Sequence, residues 1–185
     1  MHPSRSPTPD PATPSSEEAS LIAAAQRDPR AFAALYRAYY GVIAAYARRR
    51  IRDPHVADDV VAEVFMEALR HLPRYRHRGL PFRAWLYRIA TTRLHRWARR
   101  ERRRPTAPLA AEPAATDASS AEADAVRAAL VDLPPRWQSV LSLHYLEGLS
   151  VAEVAAVLGL RAGTVKSRLH RGRAALAARL RQERA

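Results

Sequence analysis

The side chains of this chain with the clearest chemical potential are basic residues near its C-terminal end. In the segment GTVKSRLHRGRAALAARL, apolar residues recur at helical spacing as Val165, Leu169, Leu176 and Leu180. Polar and basic side chains face away from this apolar stripe: Lys166, Ser167, His170, Arg171 and Arg173. Such a helix presents cations and hydrogen-bond donors to phosphates and base edges. The pattern is therefore suited to reading duplex DNA in the major groove.

The residues before this basic helix predict the element that positions it. Ser150 and Glu153 have the spacing of a capping box and open a short helix, VAEVAAVL. Gly159 then supplies a residue that tolerates the positive φ of a helix end. Together these features predict a helix-turn-helix, and a generic helical hairpin with a solvated basic face is the alternative. Upstream, LPPRWQSVLSLHYLEG predicts a supporting helix that holds Trp137 in the core.

A second basic segment, FRAWLYRIATTRLHRWARRERRR, combines arginines with aromatic residues. Its apolar positions fall at three- and four-residue spacing and predict one buried stripe: Phe82, Trp85, Leu86, Ile89, Leu94 and Trp97. The basic loop before it, HLPRYRHRGLP, carries Tyr75. Cations that neutralise phosphates, beside rings that stack on bases, are suited to single-stranded DNA. Because aromatic residues at helical spacing usually lie in a core, we expect Trp85 and Trp97 to be at least partly structural.

An acidic segment, DPHVADDVVAEVFMEAL, precedes these basic residues. Its valines, Phe65 and Leu69 form an apolar face, while four acids crowd into ten residues: Asp58, Asp59, Glu63 and Glu67. An acidic helix inside a basic domain is not expected to touch DNA. Two interpretations remain open for it. The acids balance neighbouring arginines within the chain, or they form a docking surface for a basic protein.

Charge divides the chain into separate parts. The 185 residues contain 31 Lys and Arg against 18 Asp and Glu, a net charge of +13, which indicates a polyanionic partner. Residues 30–104 have a net charge of +13 and residues 125–185 one of +6. Residues 105–124 hold four acids and no base. We expect an all-α fold with two small helical domains, 17–104 and 122–185, joined by a flexible acidic linker, 105–121, after a disordered tail, 1–16.

Several classes of protein are excluded by what the sequence lacks. With no cysteine it has no disulfide, thiolate zinc site or cysteine nucleophile. Its seven histidines lack metal-ligand spacing, and it contains no glycine-rich phosphate loop or hydrolase motif. We therefore expect no catalytic site, no metal and no cofactor. A polar N-terminus without an apolar signal, and the absence of a membrane-length apolar run, predict a soluble cytoplasmic protein.

Both basic segments resemble one known family. The run from Leu133 to Leu180, notably GTVKSRLHRGR, resembles region 4 of sigma-70-type sigma factors. Response regulators of the NarL/LuxR type share the preceding helix pattern but usually lack the KSRLHRGR continuation. The segments AFAALYRAYY, VADDVVAEVFMEAL and FRAWLYRIATTRL resemble region 2 of the extracytoplasmic-function subfamily. The resemblance implies an alternative sigma factor that directs core RNA polymerase to promoters, recognises −10 and −35 elements and helps open the DNA.

The resemblance also implies a role for individual residues. Those implied to contact the −35 element are Lys166, Ser167, Arg168, His170, Arg171 and Arg173. Those implied to act in −10 recognition and melting are Arg74, Tyr75, Arg76, Arg88, Thr91, Thr92, Arg93 and Arg96. Those implied to face polymerase are Asp58, Asp59, Glu63 and Phe65. The chain departs from the family pattern at Ala62, where glutamine is common, at Thr92, where asparagine is common, and at Arg161, where serine or proline is common.

The partners implied by the resemblance are the β′ clamp and β flap of core RNA polymerase, promoter DNA and an anti-sigma factor. Two other functions remain open from the residues themselves. One is a free-standing transcriptional regulator whose N-terminal domain dimerises. The other is a non-specific nucleic-acid binder, whose affinity would depend strongly on salt without preference for sequence.

Overall fold

The computed structural model describes residues 15–77, 79–103 and 121–183. All regular elements within these ranges are helical, which confirms the predicted all-α fold. The tail predicted at 1–16 and the linker predicted at 105–121 lie almost entirely outside the described residues. None of the helices described is long and apolar enough to cross a membrane.

Four helices build the N-terminal domain: α1 (Ser16–Arg27), α2 (Phe32–Arg48), α3 (Pro54–His71) and α4 (Phe82–Glu101). Short 3-10 turns at Pro29–Ala31 and Leu72–Arg74 follow α1 and α3. Asp53 begins α3 by accepting hydrogen bonds from the backbone N–H groups of His55 and Val56. The apolar stripes of α2, α3 and α4 meet in a core that completely buries Ile43, Tyr46 and Val64. This packing fixes where the polar faces of α3 and α4 point.

The C-terminal domain contains α5 (Ala121–Val131), α6 (Pro135–Leu141), α7 (Val151–Leu158) and α8 (Ala162–Glu183). One π-helical turn, Ser142–Leu146, extends α6. The capping box is confirmed: the Glu153 N–H donates to Ser150 Oγ at 3.2 Å, and the Ser150 N–H donates to Glu153 Oε2 at 2.7 Å. Gly159 ends α7 at φ +64°, and α8 begins three residues later. These elements form the predicted helix-turn-helix.

The two domains contact each other, because α4 packs against both α6 and α7. We refer to this as the closed arrangement. Trp85, Trp97 and Trp137 are each partly buried against the core, which confirms their expected structural role. One helix, α4, therefore packs both against α2 and α3 in the N-terminal core and against the other domain.

The turn before α8 can be tested by substitution of two glycines. A methyl group added at either Gly159 or Gly163 meets no atom within 4 Å, so only backbone conformation distinguishes the two sites. Gly159→Ala should lower the free energy of unfolding by about 1–2 kcal/mol because its φ is positive. Gly163→Ala, inside a helix, should leave it unchanged or raise it by up to about 1 kcal/mol. Urea denaturation measures both, and equal effects would contradict the assigned turn.

Candidate polymerase and DNA interfaces

Helix α8 separates its apolar and basic side chains as the sequence predicts. Val165 and Leu169 are buried against the rest of the domain. Five side chains of the proposed −35 contact set are exposed: Lys166, Ser167, His170, Arg171 and Arg173. Arg168 is partly buried and lines a cleft between the two domains. The helix therefore presents an exposed basic surface about two turns long, while Arg168 lies apart from it.

The residues predicted for the −10 element fall into an exposed group and a buried one. Arg88, Thr92 and Arg96 are exposed and follow each other at four-residue spacing, so they share one face of α4. Arg74 and Arg76 are also exposed, in the segment that follows α3. Five of the eight side chains predicted for the −10 element are therefore exposed.

The other three predicted −10 residues make internal contacts. Tyr75 is 8% exposed, and its ring packs against Phe82 and Trp85 with centroids 5.2 and 4.9 Å away. The hydroxyls of Thr91 and Tyr46 form a buried hydrogen bond of 2.6 Å. Arg93 forms ion pairs with two carboxylates of α3 (Glu63 and Glu67). In the closed arrangement these three side chains hold α4 in place.

Helix α3 combines internal charge balance with an exposed face. Asp58 pairs with Arg48 at 2.8 Å, and this hydrogen bond raises the pKa of Arg48. Glu63 lies 3.0 Å from Arg93, yet its side chain is still 47% exposed. Asp59 is exposed and has no ion pair among the described residues. Internal charge balance is therefore present at Asp58 and Glu63. The exposed carboxylates of Asp59 and Glu63 leave the docking interpretation open.

Sequence reasoning missed two exposed apolar side chains beside these acids. Phe65 is only 4% exposed and packs on the rings of Phe32, Tyr36 and Tyr40. Tyr36 itself is 40% exposed, and Met66 is 59% exposed. Met66 follows Glu63 by three residues and Asp59 by seven, so these three share a face of α3. Met66 does not fall on the apolar stripe formed by the valines of α3, and this could have predicted its exposure from the sequence.

The contact between the domains was also not predicted. The Glu147 side chain, 8% exposed, accepts hydrogen bonds from the Arg49 guanidinium and the Tyr87 hydroxyl. Burial raises the pKa of Tyr87, and the hydrogen bond to Glu147 raises it further. At the edge, Arg52 pairs with Asp132 at 2.7 Å. These partners lie 60 to 98 residues apart, so helical periodicity contains no signal for them.

A neutral histidine lies in the same interface. The His95 Nε2 is 2.9 Å from the hydroxyl of Ser139, which belongs to α6. Burial lowers the pKa of His95, and the positive charges of Arg50, Arg99 and Arg168 lower it further. His95 therefore contributes a hydrogen bond between the domains rather than a charge.

Comparison with known proteins identifies the family. The chain matches the family description "Sigma-70 region 2" over residues 35–104 and "Sigma-70, region 4" over residues 123–176. It is 36% identical over 143 residues to the ECF RNA polymerase sigma factor SigD of Mycobacterium tuberculosis, covering 70% of this chain and 68% of that protein. It is 31% identical over 173 residues to SigW of Bacillus subtilis, covering 83% and 91%. The chain belongs to the ECF sigma factors of the sigma-70 family.

Solved structures agree with this assignment. The sigma factor resembles CnrH, solved in complex with the cytosolic domain of CnrY, with a TM-score of 0.66 and 30% identity over 88% of this chain and 96% of that one. It shares the fold of Bartonella quintana RpoE, with a TM-score of 0.68 and 23% identity over 81% and 96%. The protein is thus an alternative sigma factor that directs promoter-specific transcription with core RNA polymerase, and it is not an enzyme.

The buried carboxylate that joins the domains of this sigma factor gives a second prediction. Glu147→Gln keeps the shape of the side chain but removes the charge that accepts from Arg49 and Tyr87. It should reduce the free energy of unfolding by about 1.5–3 kcal/mol, the range for hydrogen bonds to charged groups. The control is Asp132→Asn, whose ion pairs are exposed and should contribute less than about 1 kcal/mol. Equal losses in urea denaturation would contradict the central role of Glu147.

Proposed function

We propose that α8 of this sigma factor lies in the major groove of the −35 element. The observation that carries this proposal is the row of exposed basic and polar side chains on α8, opposite the buried Val165 and Leu169. Lys166, Ser167 and His170 are placed to reach base edges. Arg171 and Arg173 lie farther along the helix and suit contact with backbone phosphates. Arg168 joins this set when the domains separate.

For the −10 element we propose direct contacts from the exposed face of α4. Arg88, Thr92 and Arg96 bind the opened strand, and Arg74 with Arg76 neutralise its phosphates. Because Tyr75, Thr91 and Arg93 have internal partners, their proposed role in melting is to position α4 and the preceding segment. Thr92 offers a hydroxyl where the family commonly has an amide, so it forms fewer hydrogen bonds to a flipped base.

We propose that the exposed face of α3, formed by Asp59, Glu63 and Met66, binds the β′ clamp of core polymerase. Asp58 borders this face, and the buried ring of Phe65 supports it from below. Charged carboxylates around an exposed apolar side chain suit a basic partner surface with an apolar contact at its centre. The β flap is the proposed polymerase contact of the C-terminal domain.

Two further proposals follow from the relatives. CnrH was solved in complex with the cytosolic domain of CnrY. By this analogy we propose that an anti-sigma factor binds the present chain and competes with polymerase and promoter DNA for its domains. The proposed site of action is the cytoplasm, where core polymerase and the chromosome are found.

The first experiment tests docking. The purified chain is added to core polymerase, and promoter-dependent transcription is measured together with affinity for core. Asp59→Arg should weaken core binding by at least about tenfold, since like charges brought together in an interface cost several kcal/mol. The single substitution is preferred to a double substitution that adds Asp58→Arg, because Asp58→Arg also removes the ion pair between Asp58 and Arg48. Glu17→Arg, at an exposed position near the start of α1, makes the same charge change, and this variant should bind core normally. A chain that binds duplex DNA but not core would instead be a free-standing regulator.

The second experiment tests promoter reading. Arg171→Ala should weaken binding of holoenzyme to a promoter with a −35 element and make its salt dependence shallower by about one unit. Lys166→Ala should cost about 1–3 kcal/mol and relax preference at one base pair. Arg181→Ala, at the far end of α8, is the matched control and should behave as the parent protein. Equal effects of all three substitutions would indicate non-specific electrostatic attraction rather than sequence reading.

A further inference from the structure

A polar cleft lies between the two domains, between α4 on one side and α6, α7 and α8 on the other. Its volume is about 110 Å³. Since one water needs roughly 10–15 Å³ of such space, the cleft has room for a small oxyanion with several waters. The polar and charged residues that line it include Arg88, Thr92, His95, Arg136, Ser139 and Arg168. Both domains therefore contribute to one cavity.

The charge of this cleft is unbalanced. Three arginines line it (Arg88, Arg136 and Arg168), and the described residues that line it include no aspartate or glutamate. Elsewhere in the same interface the cations have partners, as Arg49 has Glu147 and Arg52 has Asp132. Closing the domains thus brings together three positive charges without a counter-charge in the described lining. Such an approach of like charges opposes closure.

A fourth arginine lies buried next to the cleft. Arg50 is 5% exposed, and its Nε and Nη1 have no hydrogen-bond partner in the described part of the chain. Its Nη2 reaches the Gln138 carbonyl at 3.3 Å, and its guanidinium lies 3.7 Å from the centre of the Tyr46 ring. Tyr46 in turn contacts Thr91, which lines the cleft. Because His95 is held neutral, the positive potential here comes from arginines, which stay charged at all relevant pH values.

We propose that this cleft binds a small phosphate-bearing anion, such as inorganic diphosphate or the phosphate chain of a nucleotide, and that the bound anion holds the two domains closed. Guanidinium forks match phosphate oxygens in geometry and in charge. A doubly charged anion with several acceptor oxygens satisfies three cations better than a single carboxylate does. The anion supplies the counter-charge that the described lining of the closed interface lacks.

Anion binding has a consequence for transcription that rests on the proposed function. Arg88, Thr92 and Arg168 are proposed DNA contacts, and all three line the cleft. A ligand that binds only the closed arrangement raises its population at the expense of the open one. The anion therefore competes with promoter DNA even though no DNA enters the cleft. Anion binding itself is measured without promoter or polymerase, so either proposal can fail alone.

Titration calorimetry of the full chain at constant ionic strength tests the site. Inorganic diphosphate should bind saturably with one anion per chain. Arg136→Gln removes one guanidinium that is exposed and is not a proposed DNA contact, and it should weaken binding about tenfold or more. Arg181→Gln, outside the cleft, makes the same charge change and should bind like the parent chain. Absence of saturable binding, or equal weakening in both variants, would overturn the proposal.

A distance measurement tests the closure. The chain has no cysteine, so labels at Ala33→Cys and Ala177→Cys report on the two domains without interference. Diphosphate should shift the distance distribution towards the closed arrangement. Arg136→Glu should favour closure without anion, because its carboxylate replaces the missing counter-charge, and a folded Arg136→Glu chain that stays open would count against the idea. If diphosphate binds saturably but leaves the distribution of distances between the two labels unchanged, the claim that the anion holds the domains closed is wrong.

Parallel titrations identify the source of the phosphate. Orthophosphate, diphosphate and guanosine triphosphate are compared with a single-stranded oligonucleotide, on the parent chain and on Arg136→Gln. Any of the three small anions should lose affinity in the variant, and the ratio of their affinities shows whether a nucleotide or a free anion is preferred. If oligonucleotide binding falls as steeply as diphosphate binding, the cleft is part of a nucleic-acid path and the small-anion proposal is wrong.

Discussion

The closed arrangement of this sigma factor depends on one buried carboxylate, that of Glu147. An ionised side chain that is 8% exposed loses most of its hydration, and this loss is tolerated only when strong donors replace the water. Arg49 and Tyr87 provide those donors from the other domain. Because the donors come from the residue that caps the end of α2 and from α4, the carboxylate fixes the C-terminal domain against the N-terminal one. The cleft and the covered face of α4 both follow from that placement.

The same interface illustrates a conflict between stability and DNA recognition. Arginines suit contact with phosphates and bases, yet in the closed arrangement Arg88, Arg136 and Arg168 surround one cleft with no carboxylate among its described lining. Buried Arg50 leaves two nitrogens without partners in the described structure. Unsatisfied cations reduce the stability of closure. On the proposal above, an anion that binds these arginines stabilises the closed arrangement. The same side chains that suit contact with DNA therefore also let an anion shift the balance between closed and open arrangements.

Local features were predictable from sequence, and long-range pairings were not. The Ser150–Glu153 capping box and the turn at Gly159 depend on residues three to nine apart, so spacing alone specified them. Thr91 and Thr92 both carried the −10 prediction, yet one is buried and the other exposed because α4 turns 100° per residue. Thr91 follows Tyr87 by four residues and precedes Leu94 by three, so the spacing of these apolar residues could have predicted that Thr91 is the buried one. Glu147 and Arg49 lie 98 residues apart, so the spacing of residues within one helix could not predict their ion pair.

The proposed function requires an interface between the domains that is weak enough to open. Its edge pair, Arg52 with Asp132, is well exposed, and pairs of this kind contribute less than about 1 kcal/mol. The hydrogen bonds at Glu147 contribute more, but the crowded cations of the cleft oppose them. A net preference of a few kcal/mol lies within the range that binding to polymerase or DNA can overcome. Closure held by the buried carboxylate of Glu147 and opposed by like charges is therefore consistent with the proposed function, in which the two domains separate to contact the −10 and −35 elements.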